Sequence, residues 1–388
     1  MFSSRTPAQY APNDLARAIE EKRSAGNPFL DLTLSNPTQA GFLYSRDLLN
    51  PLTDLASLRY EPSPRGLRNS REALAQYLSA NGAKVDPNHL WLTSSTSEAY
   101  SFLIKMLVDP GNEVLIPTPS YPLFEPILSL EGVRFQTYPI QYDRGWRIDF
   151  ESLSERLTPE TKALLAVNPN NPTGSFVKAE ERRDLWRICE EWNLSLISDE
   201  VFFNYPLGKE RSGVSFLKKG APVPTFTMGG VSKEFGLPQM KLSWIHASGP
   251  QPILDEASER LDWIADTYLS ASIPIQGALP AWLKSGSEVM RQIRARILEN
   301  ESVANDLCKK SKTLEALPVE GGWCKILKFG DRLEEEPFAT DLLRHEGVLV
   351  QPGYFFDLPF PAAAVVSLLV PTNEFSEGLR RVLRHAAR

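Results

Sequence analysis

The feature that most constrains this 388-residue chain is a repeat of short apolar runs, at 89–93, 113–117, 133–138, 163–167, 194–198, 224–228 and 242–247. Most are separated by helix-length amphipathic segments such as 97–108 and 178–192. The runs have strand length, and they are almost wholly apolar rather than alternating, as expected for strands buried on both faces. Strands alternating with helices predict an α/β fold, a mostly parallel sheet flanked by helices. Ligands in such folds sit outside the carboxyl ends of the strands. The residues just after each run are therefore the ones to read for chemistry.

Lys233 follows the run 224–228 through Gly229-Gly230-Val231-Ser232. An amine placed there can form a Schiff base with a carbonyl compound if its pKa is low enough to leave it neutral; a lone lysine is otherwise usually a solvated surface group. Ser95 and Glu98, after the first run, have capping-box spacing. The free N–H groups of a helix start, with Ser95 and Thr96 beside them, form an anion site, although the same serine also serves as a plain N-cap. Tyr121, in Pro117-Thr118-Pro119-Ser120-Tyr121-Pro122, offers a flat face to a π-ring ligand or to the core. Asn168-Pro169-Asn170-Asn171-Pro172-Thr173-Gly174 is turn chemistry when taken alone. Asp199 ends the run 194–198, where an unpaired buried polar group costs roughly 2–7 kcal/mol or more. A protonated ring nitrogen would satisfy it and turn that ring into an electron sink.

Composition excludes several classes. Net charge −6 gives no reason to expect nucleic acid or an anionic membrane as partner. No stretch approaches the roughly 18 apolar residues of a membrane span, and the first residues carry no apolar secretory core. Three scattered cysteines fit a reducing, cytoplasmic setting rather than a disulfide framework, and four isolated histidines lack metal-ligand spacing. No metal is expected.

Gly230-Val231-Ser232-Lys233, then Gly236-Leu237-Pro238, then Lys241-Leu242-Ser243-Trp244 resembles the lysine region of fold-type I pyridoxal-phosphate aminotransferases of class I/II. Their pattern is S-x-S-K followed by G-L-P-x-x-R-x-G-W. The segments around Ser95, Tyr121, Asn171 and Asp199 resemble the family's S-G-A/S-T-E-A, P-x-P-x-Y-P, N-P-x-N-P-T-G and D-E-x-Y. Tyr60 in Arg59-Tyr60-Glu61-Pro62, with Gly66 after it, resembles Y-x-P-x-x-G. The resemblance covers nearly the whole chain.

It implies that Lys233 binds pyridoxal 5'-phosphate as a Schiff base and moves the substrate proton, while Asp199 pairs with the ring nitrogen. Ser95, Thr96 and Lys241 would hold the phosphate, joined by Tyr60 from the other subunit of a homodimer with shared sites, and Ser232 would also bind the cofactor. Tyr121 would stack on the ring, Asn171 would bind the ring oxygen and the substrate carboxylate, and Ser35 and Asn36 would line the substrate pocket. The implied architecture is an N-terminal arm (1–46) joined to a small α+β domain (286–388), and a large cofactor domain (47–285). The implied reaction moves an amino group from an amino acid to a 2-oxo acid.

Several positions depart from the pattern. Gly230 replaces its first serine, Lys241 its arginine, Ser243 a glycine and Ser95 another glycine. Phe202 stands where a tyrosine donates to the ring oxygen, a gap that Tyr205 would fill if it reached in. Ser367 aligns with the arginine that clamps the substrate carboxylate, with Arg46 and Lys325 as possible substitutes. These departures leave a C–S lyase, decarboxylase or cyclising synthase of the same fold as an alternative, and behind it a non-catalytic pyridoxal-phosphate-binding protein.

Overall fold

Every apolar run becomes a strand in the computed structural model, which describes residues 2–6, 11–80, 83–208, 213–217, 220–330 and 333–388. The chain begins with α1 (Asp14–Ser24), β1 (Leu30–Asp31) and a series of 3-10 turns, then α2 (Arg68–Ser79). The central region follows as β2 (Leu90–Thr93), α3 (Thr96–Leu107), β3 (Glu113–Thr118), α4 (Phe124–Glu131), β4 (Arg134–Tyr142), β5 (Trp146–Ile148) and α5 (Phe150–Glu155). It continues through β6 (Thr161–Val167), α6 (Ala179–Glu191), β7 (Ser195–Asp199), β8 (Thr225–Gly230), α7 (Val231–Glu234) and β9 (Ser243–Ser248). Three helices come next, α8 (Gln251–Tyr268), α9 (Ile273–Ser285) and α10 (Ser287–Cys308). The last part runs β10 (Leu314–Ala316), β11 (Cys324–Phe329), α11 (Glu335–Asp341), β12 (Val348–Leu349), β13 (Gln351–Pro352), β14 (Ala363–Ser367) and α12 (Thr372–Ala386).

The large sheet has the order β2-β9-β8-β7-β6-β3-β4-β5. Strands β4, β3, β6, β7 and β8 are mutually parallel, whereas β9 runs against β8 and β2. Successive side chains on a strand point to opposite faces, and here both faces are covered. Val114, Leu165 and Ile197 pack with α3, α4 and α8 through Leu103, Leu128 and Leu261. Their neighbours Leu115, Leu164 and Leu196 pack on the other side with Leu153 of α5 and Leu185 of α6. That two-sided burial is why the runs are apolar throughout. Each such side chain contributes roughly 1.5–3 kcal/mol, an upper figure because the unfolded chain already buries some of it.

A smaller antiparallel sheet has the order β10-β11-β14-β13, and β1 pairs in parallel with β12. A third core joins them to α1, α10 and α12 through Leu15, Ile297, Val366 and Leu379.

The differences from the sequence reading are local. The sequence 29–34 reads as a short strand, but only Leu30–Asp31 pairs, because Asp31 turns back on itself by accepting from the amide and hydroxyl of Thr33 at 2.8 and 2.6 Å. The sequence at 266–278 resembles the loop by which such enzymes cross a dimer interface, but it is mostly helix: α8 runs to Tyr268 and α9 starts at Ile273. The amphipathic pattern over 286–315 reads as one long helix, but α10 ends at Cys308, so that 314–316 can pair as β10. The run 347–350 reads as one strand, but only Val348–Leu349 pairs, as β12, and β13 follows it in a different sheet; the run 364–370 reads as a strand to Val370, but β14 stops at Ser367. β5, a three-residue edge strand, was too short to see.

Candidate active site

The registers bring the carboxyl ends of the parallel strands to one level. Asp199 lies opposite Val167 of β6 and Met228 of β8. Ser243 lies opposite both Gly230 and Thr93. The segments bearing Ser95 and Thr96, Tyr121, Asn171, Asp199 and Lys233 all leave the sheet at this end, after β2, β3, β6, β7 and β8. Lys241 approaches the same level two residues before Ser243, in the left-handed conformation at φ 48°.

The capping box forms with a shift of one residue. Ser95 Oγ accepts from the Glu98 amide at 3.2 Å, while Glu98 Oε2 accepts from the Ser94 amide at 2.7 Å. The first-turn amides of α3 have no intrahelical acceptor and face outward with the helix dipole behind them. Tyr121 is half exposed on the turn after β3.

Asp199 is buried. Its Oδ1 accepts from the Val201 amide at 3.1 Å and its Oδ2 from the Tyr100 hydroxyl at 2.7 Å. Desolvation pushes its carboxyl up, against which the Tyr100 and Val201 donors and the Lys233 charge pull down. Burial lowers the Lys233 amine, and the Cys324 sulfur and Asp199 carboxylate partly restore it. The Lys233 Nζ sits 5.6 Å from the centre of the Phe202 ring and 5.2 Å from that of Trp323. A lysine lowered in this way is closer to the neutral amine that nucleophilic chemistry needs.

The Tyr205 hydroxyl donates to the main-chain carbonyls of Lys233 at 2.7 Å and Glu234 at 3.1 Å. It anchors the lysine turn and does not replace the hydroxyl that Phe202 lacks.

The far wall comes from the segment 319–324, drawn tightly against the loop after β6. Glu320 accepts from the Phe176 amide at 2.9 Å and pairs with Lys178, and the Gly322 amide donates to the Tyr205 carbonyl at 2.9 Å. Gly174 makes this approach possible. At φ +68° a β-carbon there would lie 2.1 Å from Val319 and 2.5 Å from the Gly321 carbonyl. The result is that Cys324 Sγ donates to Asn171 Oδ1 at 3.3 Å and Trp323 packs edge-on against Phe202 and Tyr205.

Ser367 lies opposite Cys324 in the β11–β14 ladder, and its amide donates to the Leu32 carbonyl at 2.7 Å. The chain leaving Leu32 leads to Ser35 and Asn36, whose side-chain oxygen caps a 3-10 turn at Thr38. Lys325 is fully buried and committed to Glu301 at 2.8 Å and Asn305 at 3.0 Å, so it is spent inside the small sheet's packing. Arg46 lies exposed in the turn Arg46–Leu48. Tyr60 is strongly exposed and lines a surface hollow with Gly66 and Ser270.

Sequence reasoning did not find Tyr100, Trp323 or Cys324. Tyr100 is one more residue on the buried face of a helix, and Trp323 and Cys324 lie at the start of a strand distant in sequence, one just before it and one opening it; none carried a visible signal. Among the described residues, no group of histidine, cysteine and carboxylate side chains is arranged to hold a metal ion.

The chain is similar to known proteins over nearly its whole length. The family model described as Aminotransferase class I and II matches residues 53–381. The glutamate-pyruvate aminotransferase AlaA of Haemophilus influenzae is 27% identical over 379 residues, covering 95% of this chain and 92% of that protein. The alanine aminotransferase of Mycobacterium tuberculosis is 25% identical over 347 residues, covering 87% and 80%. Among solved structures, the alanine aminotransferase of Pyrococcus furiosus superposes with a TM-score of 0.90 at 23% identity and covers 100% of both chains. The aspartate aminotransferase of Thermotoga maritima gives a TM-score of 0.85 at 20% identity, again over 100% of both.

Proposed function

The chain belongs to the aminotransferase class I and II family and is a pyridoxal-phosphate-dependent aminotransferase, and from that premise we propose that Lys233 and Asp199 carry its chemistry. The observation behind this is their shared position: a lysine with a lowered amine pKa and a buried carboxylate leave adjacent strands of one sheet at the same end.

The residues fit the cofactor. The buried Asp199 carboxylate is matched to a cationic ring nitrogen and holds the proton there. The first-turn amides at Ser95 and Thr96, with Ser232 and the Lys241 ammonium, receive the phosphate, and Tyr121 covers one face of the ring. The cofactor, when bound, delocalises the negative charge left at the substrate Cα. The Lys233 amine takes the proton from that carbon and returns it one atom along.

Asn171 keeps its amide nitrogen for an oxygen anion, because its Oδ1 is occupied by the Cys324 thiol. The neutral wall of Ser367 and Cys324, with Ser35 and Asn36 beyond it, lines the substrate side. The substrates are an amino acid and a 2-oxo acid; alanine, glutamate and pyruvate are proposed first, from the names of the relatives.

The working unit is proposed to be a homodimer with shared sites. Tyr60, Leu55 and Leu58 are 74%, 79% and 84% exposed on one segment, and a second copy would cover them and receive Tyr60 at its phosphate site. A cytoplasmic location is proposed from three free cysteines. Among the described residues, no helix is long and apolar enough to cross a membrane.

The test is half of the reaction. Cofactor-loaded protein is given single amino acids without a 2-oxo acid, and the products are measured. One keto acid per site, with activity restored by a 2-oxo acid, supports the reading. Release of ammonia or carbon dioxide instead would show an elimination or a decarboxylation.

A further inference from the structure

Tyr100 lies on α3, one helical turn beyond the amides of Ser95 and Thr96, a rise of about 6 Å. Its ring is 2% exposed and packs edge-on against Phe124, with centroids 5.3 Å apart at 76°. Among the described residues its hydroxyl has one partner, Asp199 Oδ2 at 2.7 Å, and Asp199 Oδ1 takes the Val201 amide at 3.1 Å. Each oxygen of this buried carboxylate is thus held by one donor and keeps a lone pair for another. The titratable groups facing Asp199 are Tyr100 from α3 and Lys233 from α7.

We propose that Tyr100 is a positioning residue for the transamination site: by donating to Asp199 Oδ2 it holds that carboxylate ionised and fixed in orientation for a cationic ring nitrogen. This rests on the reading of Asp199 given above. A hydrogen bond to an ionised acceptor is the strong kind, and in a low-dielectric site its loss is felt most by the charged form. One helix then serves both ends of the cofactor, its N-terminus the phosphate and its second turn the carboxylate.

Proton counting separates this from a packing role. The assembled site holds one proton between Asp199 and the ring nitrogen. On this proposal the Tyr100 donor keeps the wild-type carboxylate ionised before the cofactor arrives, and that proton enters from solvent or on the cofactor. Without the Tyr100 donor, desolvation shifts Asp199 toward its protonated form, so fewer protons are taken up on binding.

The experiment is pyridoxal-phosphate binding to the full-length apoprotein between pH 5 and 9, for wild type, Y100F, D199N and the double variant. Y100F is expected to weaken binding about tenfold and to lower the proton uptake by up to one. In the D199N background, removing Tyr100 should add little, because contacting residues that act as a unit are not additive. Uniform weakening at every pH, or fully additive losses in the double variant, overturns the role of Tyr100. Unchanged binding in D199N overturns the reading of Asp199 itself. Thermal unfolding of each apoprotein confirms that Y100F is folded, since it keeps the ring against Phe124.

Discussion

The Cys324 thiol donates to Asn171 Oδ1 across 3.3 Å, and these two residues stand 153 positions apart in the chain. One begins β11 of the small sheet and the other follows β6 of the large one. Their contact closes the wall beside Lys233 and occupies the Asn171 amide oxygen. Burial raises the Cys324 thiol to about 12, with the Lys233 charge pulling slightly down.

The thiol should accordingly resist alkylation. A thiol near 12 has roughly a thousandfold less thiolate at pH 8 than an ordinary cysteine. Peptide mass spectrometry after timed iodoacetamide treatment should show Cys324 labelled far more slowly than a small free thiol. Rapid labelling in the folded protein would mean that the wall is open.

Phe202 supplies no hydroxyl, and Tyr205 is committed to the lysine turn. Phe202→Tyr should therefore add a donor to the cofactor's ring oxygen. A hydrogen bond to a charged group contributes about 1.5–3 kcal/mol, so the midpoint of the pH-dependent change in visible absorbance should fall by about 1–2 units. A spectral titration with an unchanged or raised midpoint contradicts the placement of Phe202.

Glu200 is buried beside the site, its carboxyl raised to about 7 by desolvation although Ser215, the Phe216 amide, Asn168 and Ser198 donate to it. The unfolded chain binds that proton less tightly, near 4.5. The folded state thus holds more protons through this window, and stability falls as pH rises from about 4.5 to 7. The whole swing is up to about 3 kcal/mol. Urea unfolding of wild type and Glu200→Gln across pH 4.5 to 7.5 should show the variant gaining on the wild type by about 1–3 kcal/mol. Parallel curves would rule this out.

The parallel sheet was legible because two-sided burial writes itself as apolar runs, and the site segments could be read because each follows such a run. Lys233, Asp199 and Asn171 stood out through small residues, turn residues and a carboxylate at strand ends. What could not be read depends on contacts distant in sequence. Cys324 meets Asn171 only because Gly174 lets the segment 319–321 approach. Lys325, attractive as a free cation, is neutralised by Glu301 on α10. Tyr100 looks like any other buried residue of α3 until the helix is set against β7. The split of 347–352 between two sheets follows from pairing partners, which local hydropathy does not encode.

The central claim is that Lys233 is the lysine joined to the cofactor. The direct measurement is to load the protein with pyridoxal phosphate, reduce with borohydride, digest, and locate the pyridoxyl group by mass spectrometry. The account predicts one modified lysine per chain, Lys233, with no modification in Lys233→Ala. A stable label on another lysine, or none with Lys233 intact, would contradict it.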